Sequence, residues 1–267
     1  MLESLKARAQ EGRIPWQTLL KEALQICFLE VFYSFSQSGH ATFQGGTSLR
    51  LLYGGPRHSE DLDFITDQPF EYWGNLQPGL YEKWRVHCSF LGGQLEMTSQ
   101  KPSSSIVRWK LKWKPEAGSE KVWVRVEFAQ YPAYTRELLP LARPDGFPIG
   151  AWTIIPTESQ EEIFADKLTA VAGRPYVKGR DFFDLWFLKT QGVRLRPDLL
   201  KKKFKDYKAD PQRLKKQLGQ VNGRLLSNEL QNFLPTPFRH PLEEENYDSV
   251  LRVSGEVIAK AFRLLKR

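Results

Sequence analysis

Cysteine is scarce in this sequence, which has 267 residues but only two cysteines, Cys27 and Cys88. Neither cysteine stands at a metal-ligand spacing from other ligand-type residues, and no neighbouring pattern would lower a thiol pKa. These absences argue against a zinc site and against a cysteine nucleophile. We expect both thiols to be buried, because both lie in apolar stretches.

Long apolar runs are also missing. No run approaches the roughly 20 residues that span a bilayer, and the N-terminus predicts an amphipathic helix without the apolar segment of a signal peptide. We therefore expect a cytoplasmic protein with no membrane partner. The sequence also lacks internal repeats and a nucleophile elbow, and the second absence argues against a Ser-His-Asp hydrolase.

Positive charge, by contrast, is in excess. Lysine and arginine number 39 against 31 acidic residues, which gives a net charge of +8 and a pI of about 9.4. This balance favours a polyanionic partner such as nucleic acid or a triphosphate. The chain is 41% hydrophobic and contains 8 Trp and 17 Phe, so it has the large apolar side chains that disordered chains lack.

The spacing of apolar residues predicts an α+β protein. We expect a small mixed β-sheet with flanking helices over residues 1–155 and an α-helical part over residues 156–267. Thr157 is the expected N-cap of the first C-terminal helix. The helices expected in the first part are 15–37, 47–53 and 79–91, and the expected strands are 41–44, 61–66, 93–99, 105–114 and 121–129.

A Gly-Gly-Thr-Ser sequence joins the first predicted strand to a short helix. Gly45 and Gly46 let the backbone approach a bulky anion closely. The helix N-terminus offers N–H groups and a partial positive charge, and Thr47 and Ser48 add hydroxyl donors. Because strand-Gly-Gly-helix turns are common, this segment predicts a phosphate cradle only in combination with further site residues.

Two aspartates follow on the next strand, where a period of two places Asp61 and Asp63 on one face. Such a pair repels unless a cation lies between the carboxylates, and carboxylate oxygens are preferred ligands of Mg²⁺. Glu127 is the best candidate for a third carboxylate, since it faces away from a row of valines on its strand. Taken singly, the aspartates also fit an exposed edge strand, and Glu127 also fits a surface ion pair with a lysine.

Two helical segments of the C-terminal part carry further charged residues. Lys167 lies beside an apolar stripe with Arg174 two turns on, an arrangement that would reach a triphosphate. Asp181 and Asp184 share a face of the next helix. The simpler alternatives are a solvated Lys167 and a surface ion pair between Arg180 and Asp184.

Two blocks of the sequence together resemble the AbiEii/AbiGii toxin family of nucleotidyltransferases, part of the DNA polymerase β-like nucleotidyltransferase superfamily. The first block is Phe43–Leu49 followed by Arg57–Phe64, with the pattern Arg-x-Ser-x-Asp-Leu-Asp-Phe. The second is Lys167-Leu168 followed by Arg174 and Arg180–Leu185. The blocks occur in the family's order and cover roughly residues 40–190, and the rest of the helical part carries no matching motif.

The resemblance implies transfer of an NMP from an NTP to an acceptor hydroxyl, with Mg²⁺ or Mn²⁺ as cofactor. It implies that Asp61 and Asp63 hold the metal, and the strand pattern adds Glu127 as the candidate third ligand. The residues expected to bind the nucleotide are Gly45, Gly46, Thr47, Ser48, Arg57, Ser59 and Lys167. Asp181 is expected to be a catalytic or site-organising acid, and we place the site between the α/β part and the helices.

The resemblance further implies a toxin of a toxin–antitoxin or abortive-infection system, with a tRNA 3′ end as acceptor and a cognate antitoxin as partner. Ten basic residues between Arg196 and Arg224 are opposed by three acids. The candidate RNA contacts within this cluster are Lys201, Lys202, Lys203, Lys205, Lys215 and Lys216. Arg108, Lys110, Lys112 and Lys114 form a second basic row on a predicted strand.

Other functions also fit parts of the sequence. The acceptor of the NMP is a protein side chain or a small molecule in one alternative. In another, the chain is a non-catalytic RNA-binding protein that keeps the fold. The aspartate pair, together with Lys167 and Asp181, argues against the second, because a binding module does not need four such residues.

Overall fold

The computed structural model describes residues 2–100, 106–116, 118, 120–144, 147 and 152–266. The chain divides into two compact units. The first contains Met1–Gly54 and His58–Glu158, and the second contains Gly55–Arg57 and Ser159–Arg267. Residue 105, at which we expected a strand to begin, lies outside the described residues.

The first unit combines helices with one mixed sheet, as the sequence predicted. Its α-helices are α1 (Leu2–Gly12), α2 (Trp16–Phe32), α3 (Gly45–Leu52) and α4 (Phe70–His87). Its strands are β1 (Ala41–Gln44), β2 (Asp61–Thr66), β3 (Gln94–Ser99), β4 (Ile106–Lys114), β5 (Val122–Ala129), β6 (Glu137–Pro140) and β7 (Ile154–Thr157). Short 3-10 helices cover Ser36–His40 and Ser89–Leu91.

The strand order in the sheet is β3-β4-β5-β2-β1-β7-β6. The β2–β5 and β1–β7 pairs are parallel, whereas the other pairs are antiparallel. The central neighbours β1, β2 and β5 therefore bring the Gly-Gly turn, the aspartate strand and the Glu127 strand side by side.

Alternating side chains give the central strands one apolar and one polar face. On β5, Val122, Val124, Val126 and Phe128 are buried, while the intervening residues are at least partly exposed. Strand β4 alternates in the same way, and β2 does so from Asp61 to Phe64. The apolar face packs into the core with α2 and α4, and the polar face carries the candidate site residues.

An aromatic cluster forms the centre of this core. The Phe64 and Phe128 rings are stacked at 5.0 Å, and Trp73 stacks on Phe128 at 4.4 Å. Phe32 and Trp109 contact the same rings at 5.6 and 4.9 Å from Phe128. The cluster thus joins β2, β4 and β5 to α2 and α4, and it fixes the sheet that holds the polar face.

The second unit is helical in its described part. Its helices are α5 (Gln160–Gly173), α6 (Gly179–Thr190), α7 (Pro197–Asp206), α8 (Gln212–Leu218), α9 (Gly223–Leu230), α10 (Thr236–Glu244) and α11 (Asp248–Lys266). The apolar residues of α6 are buried, as the spacing predicted, with Phe182 and Phe183 each only 1% exposed. None of the helices described in either unit is long and apolar enough to cross a bilayer.

The expected N-cap at Thr157 is wrong. Thr157 lies on β7 opposite Phe43 of β1, and its hydroxyl donates a hydrogen bond to the Phe43 carbonyl at 2.9 Å. The side chain of Ser159 is the cap of α5 and accepts a hydrogen bond from the Glu162 amide at 3.3 Å. Pairing with a strand distant in the sequence therefore decides the role of Thr157.

Other boundaries also differ from the expectation. The helix expected over 79–91 begins at Phe70 and ends at His87, with Pro78 inside it. Strands β6 and β7 were not predicted, since Glu137–Pro140 and Ile154–Thr157 show no clear alternation of apolar and polar residues and each contains a proline. The helix expected over 15–37 ends at Phe32, and a 3-10 helix covers Ser36–His40.

Truncation of the central aromatic ring should destabilise the first unit strongly. We expect Phe128→Ala to lower the free energy of unfolding by about 3–5 kcal/mol, because it leaves a cavity among stacked rings. Phe238→Ala removes the same side chain from a position that is 56% exposed and should have little effect. Urea denaturation followed by circular dichroism measures both, and equal effects would contradict the assignment of the core.

Candidate active site

The Gly-Gly turn lies directly against the aspartate strand. Strand β1 ends at Gln44, which pairs with Asp63 of β2, and α3 begins at Gly45. Gly45 has a φ of +82°, and a Cβ atom at this position would lie 2.7 Å from Asp63 Oδ2. Only glycine fits both the backbone conformation and the space. The turn therefore brings backbone amides and a carboxylate close together.

The two hydroxyls after the glycines hold this turn in place. The Thr47 hydroxyl donates a hydrogen bond to the Asp61 carbonyl, and Ser48 Oγ lies 2.8 Å from Thr157 Oγ1. Both side chains are buried. In the described part of the chain, the Gln44 side chain makes no capping hydrogen bond with α3. The N-terminal amides of α3, more than the two hydroxyls, are thus the groups suited to an anion.

The three predicted metal-binding carboxylates lie on the polar face of adjacent strands. Asp61 and Asp63 alternate with buried residues on β2. In the parallel β2–β5 pair, Asp63 is opposite Glu127 and Asp61 is opposite Arg125. The structure thus brings Asp61, Asp63 and Glu127 to one region of the sheet.

An arginine separates these carboxylates. Arg125 Nε lies 3.8 Å from Asp61 Oδ1, Arg125 Nη1 lies 3.2 Å from Glu127 Oε1, and Arg108 Nε approaches the same Glu127 oxygen to 2.9 Å. Among the described residues, oxygens of Asp61, Asp63 and Glu127 do not all come within 4.8 Å of one another. Burial lowers the pKa of Arg125, but the negative charges of Asp61 and Glu127 outweigh burial and raise that pKa. The cluster therefore already attracts a cation.

A buried glutamate, which we did not predict as a site residue, fixes the segment that leads into β2. Glu22 of α2 accepts a hydrogen bond from Arg50 Nε at 2.8 Å and lies 2.7 Å from His58 Nδ1. Burial raises the pKa of Glu22, but His58 and Arg50 outweigh burial and lower it to about 2. Gln25 of the same helix donates a hydrogen bond to the Ser59 carbonyl. No sequence signal marked this role, since the same helix also carries Lys21 and Glu30.

The second unit has its own charged cluster. Arg57 donates two hydrogen bonds to Asp184, from Nε to Oδ1 and from Nη2 to Oδ2, each of 2.8 Å. Lys167 Nζ lies 2.6 Å from the second of these oxygens and 3.8 Å from Asp181 Oδ1. Arg174 Nε donates to Asp181 Oδ2 at 2.7 Å. Each of the two carboxylates is thus contacted by two cations, which gathers positive charge of a kind that suits an anion.

Two alternatives considered for this region are wrong. Asp184 does not form a surface pair with Arg180, because it is buried with Arg57 and Lys167, and the Arg180 guanidinium lies over the Phe233 ring at 5.0 Å. Lys167 is not solvated, since its side chain is only 12% exposed.

One predicted RNA contact is also contradicted by burial. Lys203 is fully buried and pairs with Glu162 at 2.7 Å and Asp166 at 3.1 Å, so it cannot face an RNA. The remaining members of that set are exposed: Lys201, Lys202, Lys205, Lys215 and Lys216. This burial was not predictable from the local pattern, since Lys203 lies within a run of three lysines.

The charged cluster of the second unit should make stability depend on pH. Burial raises the pKa of Asp184, but Arg57 and Lys167 outweigh burial and lower it from its usual 3.8 to about 2. Asp184 therefore stabilises the folded state fully above pH 4, by about 2 kcal/mol, and the contribution disappears as the pH falls to 2. We expect the stability gap between wild type and Asp184→Asn to shrink over this range in urea denaturation.

Asp198→Asn is the matched control. Asp198 also pairs with an arginine, Arg196, but both side chains are about half exposed. Exposed ion pairs contribute little to the free energy of unfolding. We therefore expect Asp198→Asn to have the same stability as the wild type at every pH. A gap for Asp184→Asn that stays constant between pH 5 and pH 2 would contradict the proposed ionisation.

Comparisons with known proteins concern the fold and the family of this chain. No curated protein sequence matches the chain significantly. Among solved structures, JHP933 from Helicobacter pylori aligns with a TM-score of 0.51 at 17% identity, covering 95% of this chain and 94% of that one. A proposed nucleotidyltransferase from H. pylori aligns with a TM-score of 0.53 at 19% identity, covering 94% and 99% of the two chains.

These two likenesses concern the fold, and the sequence itself gives the family. The family model described as "Nucleotidyl transferase AbiEii toxin, Type IV TA system" matches residues 28–253. That range includes the Gly-Gly turn, the aspartate strand and the Lys167 cluster. The chain therefore belongs to the AbiEii toxin family of nucleotidyltransferases.

Proposed function

We propose that this nucleotidyltransferase transfers an NMP from an NTP to a hydroxyl at the 3′ end of a tRNA, with a divalent cation held by Asp61 and Asp63. The observation that carries this proposal is the close approach of the Gly45 backbone to Asp63 Oδ2. It joins an anion-binding helix N-terminus to a carboxylate pair, and a metal–triphosphate complex needs both.

The donor set fits Mg²⁺ or Mn²⁺. All three candidate side chains offer carboxylate oxygens, which hard cations prefer. Arg125 already pairs with Asp61 and Glu127, so these carboxylates carry negative charge that a bound metal would also neutralise. When bound, a divalent cation stabilises the negative charge that develops on the reacting phosphate. Glu127 joins the ligand set if its side chain turns from Arg108 and Arg125 towards Asp63.

Other residues bind and orient the substrate in this proposal. The amides of Gly45 and Gly46 bind phosphate oxygens, and Lys167 contributes a positive charge for the triphosphate. Asp181 lies between Lys167 and Arg174, and this position supports a role in orienting those cations. The acceptor oxygen bonds to the α-phosphorus as its proton leaves, and pyrophosphate departs.

The choice of RNA as acceptor is supported by charge. The chain carries +8 overall, and exposed lysines of α7 and α8 concentrate this charge in the second unit. We further propose that the chain acts as the toxin of a pair whose second member is a cognate antitoxin protein. A protein or small-molecule acceptor is the alternative outcome of the experiment below.

Asp63→Asn should abolish transfer. The change removes a negative charge from the proposed metal site at nearly constant volume, and we expect a loss of at least about a hundredfold in rate. The measurement is the incorporation of each α-labelled NTP into total tRNA with Mg²⁺ or Mn²⁺, together with wild-type samples that contain protein or small-molecule extracts.

Asp67→Asn is the control, since Asp67 follows the same strand with a side chain that is 77% exposed. It should keep the wild-type rate. Wild-type labelling by Asp63→Asn, or labelling that persists in excess EDTA, would contradict the metal site. Label in protein or small molecules but not in tRNA would reject the RNA acceptor and leave the transferase chemistry intact.

Gly45→Ala should also reduce transfer, because the new Cβ displaces the Asp63 carboxylate. Gly54→Ala is a close control: Gly54 also has a positive φ, of +70°, but its Cβ would meet nothing within 4 Å. Both variants share a backbone cost of roughly 1–2 kcal/mol. We therefore expect similar losses of thermal stability but a loss of activity only for Gly45→Ala, and equal activities would argue against the Gly45–Asp63 contact.

A further inference from the structure

A basic depression lies on the polar face of the sheet beside the carboxylates. It has a volume of about 330 Å³ and is lined by Gln100, Arg108, Lys110, Trp123 and Arg125. All but Gln100 come from the paired strands β4 and β5, in which Lys110 is opposite Arg125. The walls thus combine cationic groups with one large aromatic ring.

Trp123 is the distinctive member of this depression. It lies on the opposite face of β5 from the buried valines and is 37% exposed. The Lys110 ammonium lies 4.5 Å from the ring centroid, the Lys21 ammonium 5.4 Å and the Arg125 guanidinium 5.9 Å. An indole on the polar face among three cations offers a π surface next to groups that attract phosphate.

The register of the strands fixes the distance to the proposed metal site. Trp123 precedes Arg125 by two residues, and Arg125 is opposite Asp61. Two residues along a strand span about 7 Å, and adjacent strands lie about 5 Å apart. The backbone of Trp123 therefore lies about 8–9 Å from that of Asp61. Asp63 is opposite Glu127, two residues further along, at about 14 Å, and one or two nucleotides cover these distances.

We propose that this depression binds the single-stranded end of the acceptor RNA, with a nucleobase stacked on Trp123 and flanking phosphates on Lys110 and Arg108. The inference rests on the proposed function, because it assigns the acceptor to the same face of the sheet. A volume near 330 Å³ is at the lower end for small-ligand sites, which suits one nucleotide at a time. Stacking tolerates any base, so the site holds a strand end without reading its sequence.

The chemistry of the walls favours nucleic acid over a protein acceptor. An acidic peptide would pair with the cations but would leave the indole face unused. A nucleotide uses both parts, through its flat base and its phosphate. Without bound metal, Glu127 accepts hydrogen bonds from Arg108 and Arg125 and keeps both guanidinium groups near the strand, so the cationic wall is formed before the RNA arrives.

The test measures RNA binding without NTP, so that it does not depend on catalysis. Full-length wild-type protein, Trp123→Ala and Trp152→Ala are titrated into a 5′-fluorescein-labelled single-stranded RNA of mixed sequence at one fixed salt concentration, and anisotropy gives Kd. Trp152 is the matched control, since it is an exposed tryptophan of the same unit at 88% exposure. We expect Trp123→Ala to weaken binding about 5- to 150-fold, Trp152→Ala to bind as the wild type does, and Trp123→Phe to recover most of the affinity.

Several outcomes would overturn the inference. Equal Kd values for Trp123→Ala and Trp152→Ala would reject the stacking site. So would a loss for Trp123→Ala that Trp123→Phe does not recover, if thermal melting shows that both variants are folded. In the transfer assay, a higher KM for NTP with an unchanged KM for RNA would assign Trp123 to the incoming nucleotide instead.

The result separates this inference from the proposed function. Transfer that depends on Asp63 but not on Trp123, with unchanged RNA affinity, rejects only the stacking site. RNA binding that depends on Trp123, in a protein that labels no RNA, supports the surface and rejects the transfer reaction.

Discussion

The contact between the Gly45 backbone and the Asp63 carboxylate is the constraint on which the rest of the site depends. It exists because β1 and β2 pair antiparallel with Gln44 opposite Asp63, so that the turn after β1 ends beside the start of β2. A side chain at Gly45 would meet Asp63 Oδ2 at 2.7 Å. The hydrogen bond from Thr47 to the Asp61 carbonyl also holds the start of α3 against the start of β2.

Charge compensation supports this arrangement in each unit. In the first unit, Glu22 holds Arg50 and His58, and these two residues lie on α3 and on the segment before β2. In the second unit, Asp184 holds Arg57 and Lys167, and Lys203 is buried between Glu162 and Asp166. Buried charges are costly unless they are paired. Each ion pair therefore fixes the position of a polar segment, because it needs a defined geometry that non-directional apolar packing does not impose.

The polar face of the sheet separates two kinds of chemistry within a few strand positions. Carboxylates on β2 and β5 suit a cation, while Arg108, Lys110 and Trp123 suit an anion with an aromatic group. Arg125 lies between the two, close to both Asp61 and the Trp123 ring. A single strand register thus places a proposed metal site beside a proposed acceptor site.

The sequence alone determined the class of fold, the order of most elements and the residue types of the site. Periods of two and of three to four residues depend only on local geometry, so the strand with Asp61 and Asp63 and the apolar face of α6 were predictable. The family motifs were predictable for the same reason, because each is a short contiguous block. The family match over residues 28–253 bears out that part of the prediction.

Tertiary structure decided what depends on residues far apart in the chain. Thr157 looked like a helix cap but pairs with Phe43, Lys203 looked like a surface lysine but is buried with two acids, and Glu22 carried no motif. In each case the partner lies tens of residues away or more, and a local pattern contains no information about it. The sequence by itself fixed which groups could take part in the chemistry, and long-range strand pairing and charge pairing fixed which of them meet.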